Sequence, residues 1–239
     1  NPEKPDVLWQ FKTCIEGMSD VAEAFEAPVI SGNVSFYNET EGVKINPTPA
    51  VGVIGVEKIK NIRTMDFKEE NDKILLIGET YDELGGSEYL RTVYGIEDGM
   101  APRIRIDQET ANGKTVLDII DSDNDKNITA VHDVSNGGIL VALSEMALKS
   151  GLGCEIDISA ILTDDDLDVC ELLYSETHGR YIVTVKEDAV DDILEAIDVP
   201  VAVIGEVKGN SLKLSENIDI PVKKLDDAYH GVLEKYMAF

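Results

Sequence analysis

Small polar residues and glycines form three short turns, each following an apolar run. The turns are Ser31–Ser35, Glu83–Tyr89 and His132–Gly138. Glycine lets the backbone approach a ligand closely, and the first N–H groups of a helix lack intrahelical partners, so turns of this kind bind anions. Three such turns in one chain favour a protein that handles phosphate groups without a P-loop.

The first turn carries three groups with distinct chemistry. Gly32 allows a close backbone approach or a positive φ. Asn33 offers a carbonyl oxygen to a hard cation, and Ser35 offers a hydroxyl to an anionic or sugar group. A purely structural turn has the same residue types, so spacing alone leaves both interpretations open.

The other two turns have structural alternatives as well. Gly85–Ser87 is typical of an anion-binding helix start but also of a capped junction between a loop and a helix. In the third turn, Asp133 is a candidate metal ligand or helix cap, and Ser135 or Asn136 is an alternative cap. For His132, a packing role is the more common one.

The charge and composition of the chain argue against nucleic acid and membranes as partners. The chain has 47 acidic and 21 basic residues, a net charge of −26, which repels nucleic acid and anionic lipid. No apolar run approaches the roughly 18 residues of a membrane span. We therefore expect no nucleic-acid partner and no membrane partner.

The cysteines indicate the redox environment. Cys14, Cys154 and Cys170 form no CxxC pair, which indicates reduced thiols in a cytoplasmic protein.

Hydrophobic periodicity predicts the secondary structure. Apolar residues at spacings of three and four predict an amphipathic helix over 6–26. The apolar run beginning at Pro28 predicts a short strand entering the first turn, and Val51–Val56 predicts a buried strand. The charged segment 67–73 marks a composition shift, which places a domain boundary there. The predicted domains are 1–66 and 67–239.

Beyond that boundary, strand and helix patterns alternate. Strands are predicted at 73–78, 128–132, 153–158, 180–186 and 200–207. Helices are predicted at 107–121, 136–150, 164–174, 187–197 and 224–236. This alternation favours an α/β (α+β) fold rather than a helical bundle or a β-sandwich.

Five segments occur in one order: Asn1–Pro5, Ser31–Glu39, Pro47–Pro49, Leu84–Leu90 and His132–Gly138. They resemble the second half of the small-type synthetase subunit in the phosphoribosylformylglycinamidine synthase family. Weaker agreement continues through Tyr174–Arg180, so the similarity covers most of the chain. It implies an AIR synthetase-like fold, with a β-rich amino-terminal domain that is incomplete at its start and an α/β carboxy-terminal domain.

The resemblance also implies an activity. Members of the family are magnesium-dependent ligases of purine biosynthesis: ATP activates the amide oxygen of formylglycinamide ribonucleotide, and ammonia then displaces phosphate. By this resemblance Gly32 contacts ATP, Asn33 is a magnesium ligand and Ser35 contacts the ribonucleotide. The catalytic histidines and most magnesium-binding acids belong to the family's first half, so no catalytic residue is assigned here.

Several partners follow from the same resemblance. The family's active site lies between two similar halves, a glutaminase subunit supplies ammonia, and a small third subunit assists assembly. We therefore expect the chain to be a piece of a longer protein and, without the amino-terminal half, to self-associate as a dimer. Two alternatives stay open: another ATP-using enzyme of the AIR synthetase superfamily, and a non-catalytic pairing module. We expect the second and third turns to be structural, the alternative being an auxiliary nucleotide site.

Overall fold

The computed structural model describes residues 1–214 and 218–237 and divides the chain into two compact units, Asn1–Glu57 and Lys58–Phe239. This division lies earlier in the chain than the boundary predicted between residues 66 and 67. Residues 58–66 belong to the larger unit. One contact that holds them there is the ion pair between Arg63 and Asp123.

The smaller unit contains one long helix and a short hairpin. Helix α1 spans Pro5–Ala24, and strands β1, Glu39–Thr40, and β2, Val43–Lys44, pair antiparallel. The helix agrees with the one predicted over 6–26, and its first residue is proline, whose missing N–H has no intrahelical partner to lose there. None of the residues 1–57 is buried. The unit therefore has no hydrophobic core made from its own residues.

The two strands predicted in the smaller unit are wrong for this chain. The run beginning at Pro28 and the run Val51–Val56 form no strand, and Val53, Ile54 and Val56 are 81%, 84% and 97% exposed. A strand requires neighbours that pair with its backbone N–H and C=O groups, and a buried strand requires apolar contacts on its faces. The described residues supply neither to these runs.

The larger unit alternates strands with helices. Its strands are β3 (Lys73–Ile77), β4 (Ile128–Val134), β5 (Cys154–Ile156), β6 (Arg180–Val185), β7 (Val201–Val207), β8 (Ser211–Leu214) and β9 (Ile218–Pro221). Its helices are α2 (Ile106–Ser122), α3 (Gly138–Ser150), α4 (Val169–Tyr174), α5 (Val190–Glu195) and α6 (Val222–Met237), with a short π-helical turn at Leu90–Tyr94. The alternation predicted from sequence is confirmed.

The strands form one mixed sheet in the order β4-β6-β3-β7-β5-β8-β9, in which β5 and β8 are parallel and the other pairs are antiparallel. Helices cover both faces. Ile74 of β3 lies in the same core cluster as Leu143 of α3, whereas the adjacent Leu75 lies in the cluster that contains Val116 of α2. Burial on both faces explains why β3 is a continuous apolar run. The α/β fold class is confirmed.

Some element boundaries differ from the predictions. The helix predicted at 164–174 begins only at Val169, because Asp168 accepts the N–H of Glu171 in a capping box and the acidic run before it stays outside the helix. Strands β8 and β9, of four residues each, were not predicted. None of the described helices combines the length and apolar composition needed to cross a membrane.

Candidate functional site

The first turn, Ser31–Ser35, lies in an exposed segment without regular structure. Gly32 does not adopt a positive φ, and a Cβ at this position would meet no heavy atom within 4 Å. Packing within the described chain therefore does not require glycine here. The Gly32 backbone is open to a ligand.

Contacts with α1 hold the segment that follows the first turn. The Phe36 ring packs edge-on against Phe11, with ring centroids 5.3 Å apart, and Lys4 pairs with Glu39 at 2.6 Å. Ser35 Oγ donates to Asn38 Oδ1 at 3.2 Å. The turn is thus fixed on one side while its residues stay accessible.

The second turn needs glycine for steric reasons. A Cβ at Gly85 would lie 2.1 Å from the Met100 carbonyl oxygen, so no larger residue fits. Ser87 Oγ accepts a hydrogen bond from the Leu90 N–H at 3.2 Å, as a helix-capping serine does. The capped junction expected from sequence is present.

The third turn leads into α3 without a side-chain cap. Gly137 is the N-cap, and Gly137 and Gly138 have φ values of 81° and 69°. Because the backbone turns here, the Gly138 N–H donates to the Ser135 carbonyl at 3.0 Å. None of the three candidate caps, Asp133, Ser135 and Asn136, caps this helix through its side chain.

His132 is paired with acidic groups rather than presented to a ligand. Its Nε2 lies 3.0 Å from Glu145 Oε2, and its Nδ1 lies 3.4 Å from Asp133 Oδ1. The imidazole side chain is only 13% exposed. These contacts favour the packing role.

The second and third turns converge on one carboxylate. Glu176 Oε1 accepts the N–H of Glu88 and the N–H of Gly137, each at 2.8 Å. Glu88 belongs to the second turn and Gly137 to the third. The structure therefore brings these two turns together around Glu176.

A buried polar network supports this junction. Arg180 is 1% exposed and donates to Thr80 Oγ1 at 2.8 Å and to the Ser175 carbonyl at 2.6 Å. Burial lowers the pKa of Arg180 to about 9, so the guanidinium is still charged at pH 7. Burial raises the pKa of the Glu83 carboxyl, but hydrogen bonds from the Arg103 N–H and nearby side chains bring it below its ordinary value.

Sequence reasoning did not identify Glu176 as a junction residue. The available signal was the weak family agreement over Tyr174–Arg180, which contains an acidic residue and an arginine. Its contacts with the two turns depend on tertiary structure, since Glu176 lies 88 residues from Glu88 and 39 from Gly137.

A groove with a volume of about 690 Å³ runs along the sheet near Gly205. Four of its five charged residues form ion pairs: Lys73 pairs with Glu206 at 2.7 Å, and Lys213 pairs with Glu155 at 3.1 Å. The fifth is Asp157. The groove is a set of cross-strand ion pairs and contains none of the three turns.

The residues present do not form a complete magnesium site. Magnesium takes near-octahedral oxygen ligands, commonly one or two carboxylates with phosphate oxygens and water. The turn at 31–35 has no carboxylate, and Asn33 offers one amide oxygen. Among the residues whose side chains the structure describes, no group of three or more His, Cys, Asp or Glu residues is placed to hold a metal ion.

Relatives match the chain along its full length. It is 69% identical over 238 residues to the phosphoribosylformylglycinamidine synthase subunit PurL of Methanobrevibacter smithii and 53% identical to that of Methanothermobacter thermautotrophicus. In both comparisons all of this chain is covered, against 33% of the relative. The chain thus spans about a third of the length of these curated relatives. The resemblance drawn from the five motifs is confirmed.

Solved structures share the fold. A structure of T. maritima PurL complexed with FGAR aligns with a TM-score of 0.62 at 18% identity, covering 70% of this chain and 30% of that one. Another, complexed with ATP, aligns with a TM-score of 0.55 at 19% identity, covering 70% and 28%. At these identities the likeness establishes the AIR synthetase-like fold.

Family models cover both units. The model described as AIR synthase related protein, C-terminal domain, matches residues 69–215, and the corresponding N-terminal domain model matches residues 1–56. The mixed sheet with helices on both faces agrees with this assignment. The chain belongs to the AIR synthase related protein family.

Proposed function

We propose that the chain is part of an ATP-dependent ligase of purine biosynthesis. The enzyme converts formylglycinamide ribonucleotide, ATP and glutamine-derived ammonia to formylglycinamidine ribonucleotide. The observation that carries this proposal is the 69% identity, over 238 residues, to a relative named phosphoribosylformylglycinamidine synthase subunit PurL. Since the chain spans 33% of that relative, the complete reaction requires residues beyond these.

The first turn is the chain's contribution to the active site in this proposal. The open backbone of Gly32 contacts ATP, and the Ser35 hydroxyl contacts the ribonucleotide. Asn33 supplies one oxygen to a magnesium ion whose other ligands are phosphate oxygens and groups outside this chain. The exposure of all five turn residues and the free space at Gly32 support these roles. No catalytic residue is assigned to the chain.

The coreless smaller unit indicates how the active site is completed. Residues 1–57 bury none of their apolar side chains, and an exposed apolar surface of this kind marks an interaction site. We propose that the partner at this site is a similar amino-terminal half and that the turn then faces it. A glutaminase subunit would supply the ammonia. A small third subunit would support assembly of the complex. The three free cysteines agree with a cytoplasmic setting.

A pairing module without catalytic function is the second candidate. The observation that favours it is that, among the described side chains, no group of three or more His, Cys, Asp or Glu residues is placed to hold a metal ion. The two candidates differ in one respect: a ligase subunit needs the side chains of the first turn, whereas a pairing module needs only the apolar surface. Another enzyme of the superfamily is less well supported, because both relatives above are named phosphoribosylformylglycinamidine synthase subunit PurL.

Reconstitution tests the proposal. The chain is mixed with a separately produced polypeptide that carries the other two thirds of the relatives' length, including the amino-terminal half. Formation of the amidine from the ribonucleotide, ATP and ammonium is then measured. The proposal predicts activity only in the mixture and a large loss with Asn33→Ala. Asn46→Ala, an exposed asparagine of the same unit, serves as the matched control and should be fully active. A folded mixture without activity would contradict the ligase assignment and favour the pairing module.

A further inference from the structure

The larger unit contains a small anion site that is already filled by the chain itself. Two backbone N–H groups from different turns, those of Glu88 and Gly137, point at one oxygen of Glu176. Converging amides of this kind bind oxyanions. Here the bound anion is a side chain from a third segment.

We propose that Glu176 is the resident anion of this site and that its carboxylate keeps phosphate-bearing ligands out of it. Each of the two amides has one hydrogen to donate, and both are used by Glu176 Oε1. A phosphate placed at the same amides would lie beside a negative carboxylate, which repels it. The inference concerns residues 58–239 and does not depend on the proposed function.

The backbone around Glu176 is built to hold this contact. The Glu176 N–H donates to the Glu83 carbonyl at 3.2 Å, and the Glu83 N–H donates to Ser175 Oγ at 3.3 Å. A Cβ at Gly138 would lie 2.6 Å from the Leu173 carbonyl oxygen. Close packing on both sides therefore places the carboxylate at the two turns.

Two arginines near these turns are already paired within the chain. Arg91 is the cation on the second turn's helix, and its guanidinium is paired with Glu88. Arg105 is paired with Glu83 at 2.9 Å and lies over the Tyr81 ring. Both of these cations are used within the chain, which leaves the two amides that Glu176 occupies as the converging donors at the junction.

Anion rescue tests this assignment. Glu176→Ala frees both amides, and Glu176→Gln keeps a neutral acceptor oxygen in place. Amide NMR shifts of Glu88 and Gly137 and the thermal unfolding midpoint are followed with sodium formate or inorganic phosphate, against sodium chloride at equal ionic strength. Glu195→Ala, an exposed glutamate on α5, is the matched control.

The proposal predicts saturable shifts of both amides in Glu176→Ala, and a midpoint that formate or phosphate raises by about 2–4 °C over chloride. Wild type and Glu195→Ala should show neither effect, and Glu176→Gln should respond more weakly than Glu176→Ala, because its neutral oxygen occupies the amides but does not repel the anion. Phosphate-induced shifts of these amides in wild type, or no anion response in Glu176→Ala, would overturn it. If Glu176→Ala does not fold in chloride, formate or phosphate must restore folding, and failure to do so equally overturns it.

Discussion

Arg63 and Asp123 form an ion pair that is almost closed to solvent: Nη2 lies 2.9 Å from Oδ2, and the side chains are 8% and 1% exposed. Asp123 also accepts the N–H groups of Asn127 and Ile128. Burial raises the pKa of Asp123, but these hydrogen bonds and Arg63 bring it below its ordinary value. The ion pair holds residues 58–66, which precede β3, against the rest of the larger unit.

Removing Arg63 should therefore destabilise the larger unit. Arg63→Ala leaves a buried carboxylate without its cation, and we expect a loss of about 3 kcal/mol in the free energy of unfolding. Urea denaturation followed by far-UV circular dichroism measures it. Lys60→Ala, an exposed cation of the same segment, should change stability by less than about 0.5 kcal/mol. Equal effects of the two changes would contradict a structural role for the pair.

Asp66 should make the larger unit sensitive to acid. Burial raises its pKa, but hydrogen bonds from Lys68 and Thr64 lower it more, to about 2 from 3.8. Because the folded-state pKa is depressed, the stabilisation is present above about pH 4 and is lost as the pH falls towards 2, and it amounts to at most about 2 kcal/mol.

The check is the pH dependence of urea denaturation between pH 5 and pH 2. Asp66→Asn should remove this part of the acid-induced loss, whereas Asp166→Asn, in an exposed acidic run, should leave it unchanged. An unaltered pH profile in Asp66→Asn would show that Asp66 is not depressed in the folded state.

Arg180 should resist replacement even by lysine. Its guanidinium donates to the Thr177 carbonyl at 3.0 Å as well as to Thr80 and Ser175, and an ammonium cannot reproduce this fork. We expect Arg180→Lys to cost about 3 kcal/mol in unfolding free energy. Arg91→Lys, at an exposed ion pair, should be nearly neutral. A stable Arg180→Lys protein would contradict the argument from hydrogen-bond geometry.

The exposed apolar side chains of the smaller unit should drive self-association. Trp9 is the single tryptophan, lies in that unit and is 65% exposed. Its fluorescence emission therefore reports whether another surface has buried this part of the smaller unit. We expect the emission to shift to shorter wavelength as the chain concentration rises and sedimentation to show a dimer at tens of micromolar. A monomer at that concentration, with unchanged emission, would contradict the expectation.

Local sequence patterns predicted the fold of the larger unit well. The apolar run of β3 and the periodicity of α3 reflect burial against neighbours within the chain, so the patterns and the structure agree. In the smaller unit the same kind of pattern at Val51–Val56 predicted a buried strand that does not form here, because the described chain provides no pairing partner.

The junction at Glu176 was beyond sequence reasoning for a different reason. A glutamate among polar residues is typical of an exposed loop, and its two amide donors come from distant turns. The first turn was recognisable from residue types and family resemblance. Its openness around Gly32 became apparent only from the structure.

The central claim is that the Ser31–Ser35 turn contributes to an ATP site completed by a separate amino-terminal half. Calorimetric titration of MgATP into the chain, into a separate polypeptide that carries the other two thirds of the relatives' length, and into their mixture tests it most directly. We predict binding in the mixture that exceeds the contribution of either part and is weakened by Asn33→Ala but not by Asn46→Ala. Equal binding by the mixture and by the separate parts, with both parts folded, would contradict the claim.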